Sequence, residues 1–200
     1  MYSFTQTEKR DLLIGTTIFV LVELSIAIYD FNTLLELLIL SLLIIPLWFF
    51  HELAHKFVAQ GNGLTSYFQL DPNMAIVSLL SIIPIIPIKI IAPGVVFSSG
   101  EYRLDTSGRI SIAGPLTNIL LGGIFLLFSS FMQLDWAMVV FLYASKASFD
   151  LALFNMLPFY VLDGAKVLRW NQAIFALIFS LVLVLWLFHP QGILGGIIIV

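Results

Sequence analysis

From Leu34 to Phe50 the chain is almost entirely Leu, Ile, Phe and Trp, and this run leads directly into His51-Glu52-Leu53-Ala54-His55. A spanning helix needs about 20 mostly apolar residues. The run has that character, so it predicts a helix through a bilayer, from about Leu34 to Val58. At 3.6 residues per turn, His51 and His55 then stack on one face. Counted at 1.5 Å per residue, His51 lies roughly 10 Å from the Val58 end, within the membrane but nearer one surface.

That setting makes the polar residues informative. A charged side chain near the centre of a spanning helix costs about 2.5–3.5 kcal/mol on insertion scales. A Glu between two His is therefore hard to explain as filler. Two imidazoles at this spacing can hold one Zn2+, with Glu52 beside the open coordination position as general base. Catalytic zinc takes three protein ligands and a water, so the third ligand must come from elsewhere in the chain.

Composition narrows the fold class. Of 200 residues, 60% are hydrophobic and only 10% charged, against about 25% charged in soluble domains. Mean hydropathy is +1.05. Several apolar runs have spanning length, which points to helices rather than a barrel. The expectation is an all-α polytopic membrane protein, one domain over residues 1–200. The absence of Cys excludes disulfides, thiolate ligands and a Cys nucleophile. No basic block suggests nucleic acid. Lys9 and Arg10 ahead of a long apolar run suit a signal anchor better than a cleaved signal.

In order, the spans expected are Leu12–Ile28, Leu34–Val58, Ile110–Phe131, Trp136–Met156 and Asn171–Phe188, making about five to six helices with whatever residues 74–93 contribute. Pro46 predicts a kink one turn before the His pair, and Gly61-Asn62-Gly63 a stop. Residues 64–109 are irregular. Met74–Ile91 is apolar but broken by Pro84, Pro87 and Lys89, and polar Ser98–Arg109 carries Gly100 and Gly108 as turn signals. This reads as a short span or, preferably, a re-entrant segment, with a β-hairpin. Pro158, Asp163 and Gly164 mark a loop. Pro190–Val200 is apolar but too short to cross alone.

Other polar residues fall inside the spans. Glu23 is a functional candidate by its membrane depth, although it can equally face the bundle as a hydrogen-bonded acid. Lys146 and Asp150, at i and i+4, read as a buried ion pair.

The positive charges orient the bundle. With the amino terminus in the cytoplasm, Lys9, Arg10, Lys56, Arg103, Arg109, Lys166 and Arg169 all lie on that side. This holds only if residues 74–93 return to the side they left, or cross twice. The metal site then lies toward the cytoplasm. His189, beside Pro190, falls on the opposite side and is set aside as a ligand. Carboxylates remain, and Asp163 stands out because it follows a span that ends on the cytoplasmic side. Asp-Gly is also ordinary turn punctuation.

The H-E-x-x-H in a membrane helix is followed downstream by Asn155-Met156-Leu157-Pro158-Phe159-Tyr160-Val161-Leu162-Asp163-Gly164. Together with Gly114-Pro115-Leu116-Thr117-Asn118, this resembles the site-2 protease family of intramembrane zinc metalloproteases. The resemblance covers about residues 34–170. It implies one Zn2+ held by His51, His55 and Asp163, with Glu52 as catalytic base and acid. It also implies that Asn155 stabilises the oxyanion or positions substrate, where a helix-capping role is the structural alternative. Asn118 is expected either to pack or to serve the site. PDZ and CBS domains, frequent in the family, are not expected here.

The implied reaction is hydrolysis of peptide bonds in or near a transmembrane segment of a protein substrate, within the lipid bilayer. The irregular 64–109 region would pair with the unwound substrate by strand addition. Two other readings stay open: a prenyl-protein or heat-shock-type membrane metalloprotease using Glu101 as third ligand, and a metal transporter or idle homologue.

Overall fold

The structure is a computed structural model, and it describes residues 4–83, 89–91, 93–100, 103–159 and 161–190. It contains seven helices and two strands among these: α1 (Gln6–Ala27), α2 (Leu34–Gly61), β1 (Thr65–Leu70), α3 (Pro72–Ser81), β2 (Gly94–Ser99), α4 (Leu104–Ser129), α5 (Asp135–Asn155), α6 (Asp163–Trp170) and α7 (Gln172–Leu187).

α2 forms where the apolar run predicts it. Thr33 accepts from the Glu36 amide, and Glu36 reaches back to the Thr33 amide, a capping box that fixes the start. Pro46 lies inside this helix. The stop is a turn through Asn62 and Gly63, whose φ of 81° suits glycine. α1 packs closely on α2, because Gly15 leaves the space filled by the Trp48 indole. The main core lies between α1, α2 and α5, around Phe19, Val22, Leu40, Ile44, Leu47 and Val140.

Three helices are long and apolar enough to cross a membrane: α2, α4 and α5. The five to six spans expected from sequence are not all met. α1 carries Glu8, Lys9, Arg10 and Asp11 in its first turns and Glu23 further on. α7 has 16 residues, about 24 Å of helix against a hydrocarbon core of about 30 Å.

Residues 64–109 differ most from expectation. Among the described residues between α2 and α4 there is no local hairpin. Instead β1 and β2 pair antiparallel, from Thr65↔Ser99 to Leu70↔Gly94, with α3 between them. The 65–70 strand carries no strong sequence signal, since six residues starting Thr-Ser alternate only weakly. The ends of the α3 excursion meet at the sheet, where the Asp71 amide donates to Pro93 O at 3.0 Å. α3 has 10 residues, too short to span. Lys89 is buried and donates to Ser81 O at 2.6 Å, capping the carbonyl end of α3. Residues 84–88 and 92, including Pro84 and Pro87, lie outside the described residues, as do Glu101 and the 191–200 tail.

Two turn assignments need correction. α4 begins at Leu104, so Gly108 is not a turn but a close approach, filled by the Trp170 side chain of α6. Asp163 and Gly164 are likewise not loop residues. They open α6, and Gly164 lets that first turn sit against the Met156 carbonyl at the end of α5.

The Lys146–Asp150 pair is present at 2.8 Å, and Trp186 on α7 also donates to Asp150, at 2.5 Å. Lys56, counted above among the positive charges of the cytoplasmic side, is fully buried against Glu8. Glu23 is buried as well.

Candidate metal centre

The α2 helix stacks His51 and His55 on one face, with Nε2 atoms 3.0 Å apart. α6 delivers Asp163 to the same point. Its Oδ2 is 3.1 Å from His55 Nε2 and 3.6 Å from His51 Nε2. All three residues are buried. Residues 108–112 apart in sequence thus form one cluster, because the 157–162 connection turns the chain back at the end of α5, with Leu162 N donating to Phe159 O.

The other face of each imidazole is engaged. His55 Nδ1 is 2.7 Å from the Ile110 carbonyl, and His51 Nδ1 is 2.5 Å from Asn118 Oδ1. Both partners are acceptors, so both Nδ1 atoms carry the proton. Each Nε2 then presents a lone pair inward. In the neutral imidazoles that bind a metal, two Nε2 lone pairs and a carboxylate oxygen thus converge on one point, an arrangement that suits a shared cation. The separations of 3.0, 3.1 and 3.6 Å bracket the about 3.4 Å edge expected of a tetrahedron with zinc–ligand bonds near 2.1 Å. The donor set therefore fits a single zinc ion, with a fourth position open.

Asp163 supplies the one carboxylate of the cluster, and a carboxylate must be an anion to act as a ligand. Its other oxygen, Oδ1, lies 3.7 Å from Lys166 Nζ one turn on.

Glu52, next to His51 along α2, is buried as well. Asn155 is the last residue of α5, and its amide donates to Leu151 O at 3.0 Å. None of its hydrogen bonds among the described residues reaches the cluster. His189 lies elsewhere, against Ser145 at 3.2 Å and the Phe149 ring.

Sequence reasoning left Asn118 between two roles and named Gly114 only as part of a motif, with no role of its own. The structure puts both at the site. A Cβ on Gly114 would meet His55 Nε2 and the His51 ring. The signal was available: Ile110, Gly114 and Asn118 are spaced by four, the same period as His55 and His51 on α2.

A helix of membrane-spanning length that carries His51, Glu52 and His55, completed by Asp163 from the short α6 into a buried His-His-Asp group, defines a membrane metalloprotein with an H-E-x-x-H site. The chain is 34% identical over 184 residues to a protein named "Putative zinc metalloprotease MJ0611" of Methanocaldococcus jannaschii, covering 89% of this chain and 92% of that protein. It belongs to the same family of zinc metalloproteases. It is also 29% identical over 120 residues to zinc metalloprotease MJ0392 of the same organism, covering 60% of this chain and 30% of that protein. No family model and no solved structure matches the chain.

Proposed function

We propose that this protein is an intramembrane zinc metalloprotease of the site-2 type, cutting peptide bonds in or near transmembrane segments of other membrane proteins. The observation that carries the proposal is the convergence of His51, His55 and Asp163, with two of the three on a helix apolar enough to span a bilayer. The protein sits as a multi-pass protein in the cell membrane, with its amino terminus and site toward the cytoplasm.

In this reading His51, His55 and Asp163 hold the ion. Zinc, when bound, supplies Lewis acidity and a water with pKa near 7. Glu52 takes a proton from the attacking water as the C–O bond forms, and returns it to the amine nitrogen as the C–N bond then breaks. Asn155 is assigned to the developing negative charge on the scissile carbonyl oxygen, which requires its amide to turn from Leu151 toward the site. The substrate helix must unwind to expose that carbonyl, and a strand edge of the β1–β2 sheet offers the extended segment backbone partners.

The test is zinc stoichiometry alongside cleavage of a transmembrane substrate in proteoliposomes, for the wild type and Glu52→Gln. The variant keeps one zinc per chain and loses about 10²–10⁴-fold in rate. Equal cleavage by both would sink the mechanism. Cleavage of soluble peptides but no bilayer-embedded segment would remove the intramembrane part.

A further inference from the structure

We propose that Asn118 is a positioning residue whose carboxamide relays the polarity of one backbone carbonyl to His51, and so fixes which ring nitrogen faces the metal cluster. Asn118 is fully buried on α4, and its side chain grips one turn of α2 at both ends. Its Nδ2 donates to Leu47 O at 3.0 Å, and its Oδ1 meets His51 Nδ1 at 2.5 Å.

The direction of this relay is forced. An amide's oxygen and nitrogen are told apart only by their partners. A carbonyl can only accept, so Leu47 O requires the NH2 end of Asn118. The amide oxygen is then turned to His51. That oxygen can only accept in turn, so His51 Nδ1 must be the protonated nitrogen. The lone pair is left on Nε2, 3.0 Å from His55 Nε2 and 3.6 Å from Asp163 Oδ2.

His55 gets the same instruction from the backbone carbonyl of Ile110, which no side-chain substitution removes. His51 depends on a side chain. The tautomer of one ligand is thus built into the α4 backbone, and that of the other rests on a single residue. Asn118 is itself steadied from α5, where Ser148 Oγ donates to its backbone carbonyl at 2.8 Å.

Partners of this kind are worth about 10–100-fold in metal affinity. The proposal rests on the metal reading of the site and not on proteolysis, so its test reads zinc binding. The full chain in detergent is titrated with zinc against a chelator, and ring-nitrogen NMR reports the His51 tautomer without metal. Asn118→Leu should bind zinc about 10–100-fold more weakly and show mixed His51 tautomers. Asn118→Asp, which keeps an acceptor toward Nδ1 while losing the donor to Leu47, should bind as well as wild type. Ser148→Ala, which loses only the packing bond, should also match wild type.

Wild-type affinity and a single tautomer in Asn118→Leu would overturn the relay. So would an equal fall in Asn118→Asp or Ser148→Ala, which would reduce Asn118 to helix packing. A wild-type chain that binds no zinc at all would instead overturn the metal reading beneath it.

Discussion

Lys56 Nζ lies 2.7 Å from both carboxylate oxygens of Glu8, and the pair is sealed inside the protein one residue beyond His55. The Phe4 ring covers the ammonium at 3.5 Å, and Glu8 also accepts the Phe68 amide of β1 at 2.9 Å. One carboxylate therefore joins α1, the metal helix and the sheet. Removing one partner of such a pair leaves the other charge buried and uncompensated, at a cost of about 3–5 kcal/mol. Lys56→Met should lower stability by that order in denaturant titrations in detergent. The double variant Glu8→Gln with Lys56→Met should lose less than the sum of the singles, and strict additivity would contradict the coupling.

Gly114 tests the fit of the two helices at the site. Both imidazoles it faces are held from behind by Ile110 and Asn118, so neither can simply swing away from a new methyl group. Gly114→Ala should push the Nε2 atoms off their common point and weaken zinc binding at least about tenfold, with helix content by circular dichroism unchanged. Wild-type affinity would mean that α4 yields at little cost.

Asp163→Asn takes away the one anion of the donor set while keeping its shape. A neutral amide is a poor third ligand, so zinc should be lost or held about 10–100-fold more weakly. Glu101→Gln should keep zinc. The reverse result would hand the third position to Glu101.

The sheet makes a prediction about substrate. Phe68 N donates to Glu8 and Leu70 N to Asp11 at 3.2 Å, so these amides on the outer edge of β1 are already taken. In the antiparallel register Phe68 faces Val96. With Phe68 N turned away from β2, this is a non-hydrogen-bonded pair, and the Val96 amide points to the outer edge of β2. Val96→Pro removes that donor and no bond of the β1–β2 ladder. It should raise KM for a transmembrane substrate several-fold, about the effect of one net hydrogen bond, with zinc content unchanged. Unaltered KM would count against strand addition on β2.

Sequence alone determined what depends on local periodicity and solvent. The apolar run into His51 set a membrane helix, and the four-residue spacing set two imidazoles on one face, because helix geometry fixes neighbours at i and i+4 whatever surrounds them. The Lys146–Asp150 pair was legible for the same reason. Asp163 stood out by motif, but its convergence with the His pair is a property of how α5, the 157–162 turn and α6 pack.

The rest was decided between elements. The His51–Asn118 bond spans 67 residues, His55–Ile110 55 and Lys56–Glu8 48. No periodicity within one helix encodes which face of α4 meets which turn of α2, or that Lys56 turns inward to a carboxylate on α1. The 65–70 strand was equally hidden, since its pairing lies beyond α3. Local chemistry placed the two imidazoles on one helix. Tertiary packing brought the carboxylate to them, protonated their outer nitrogens and left three lone pairs facing one point.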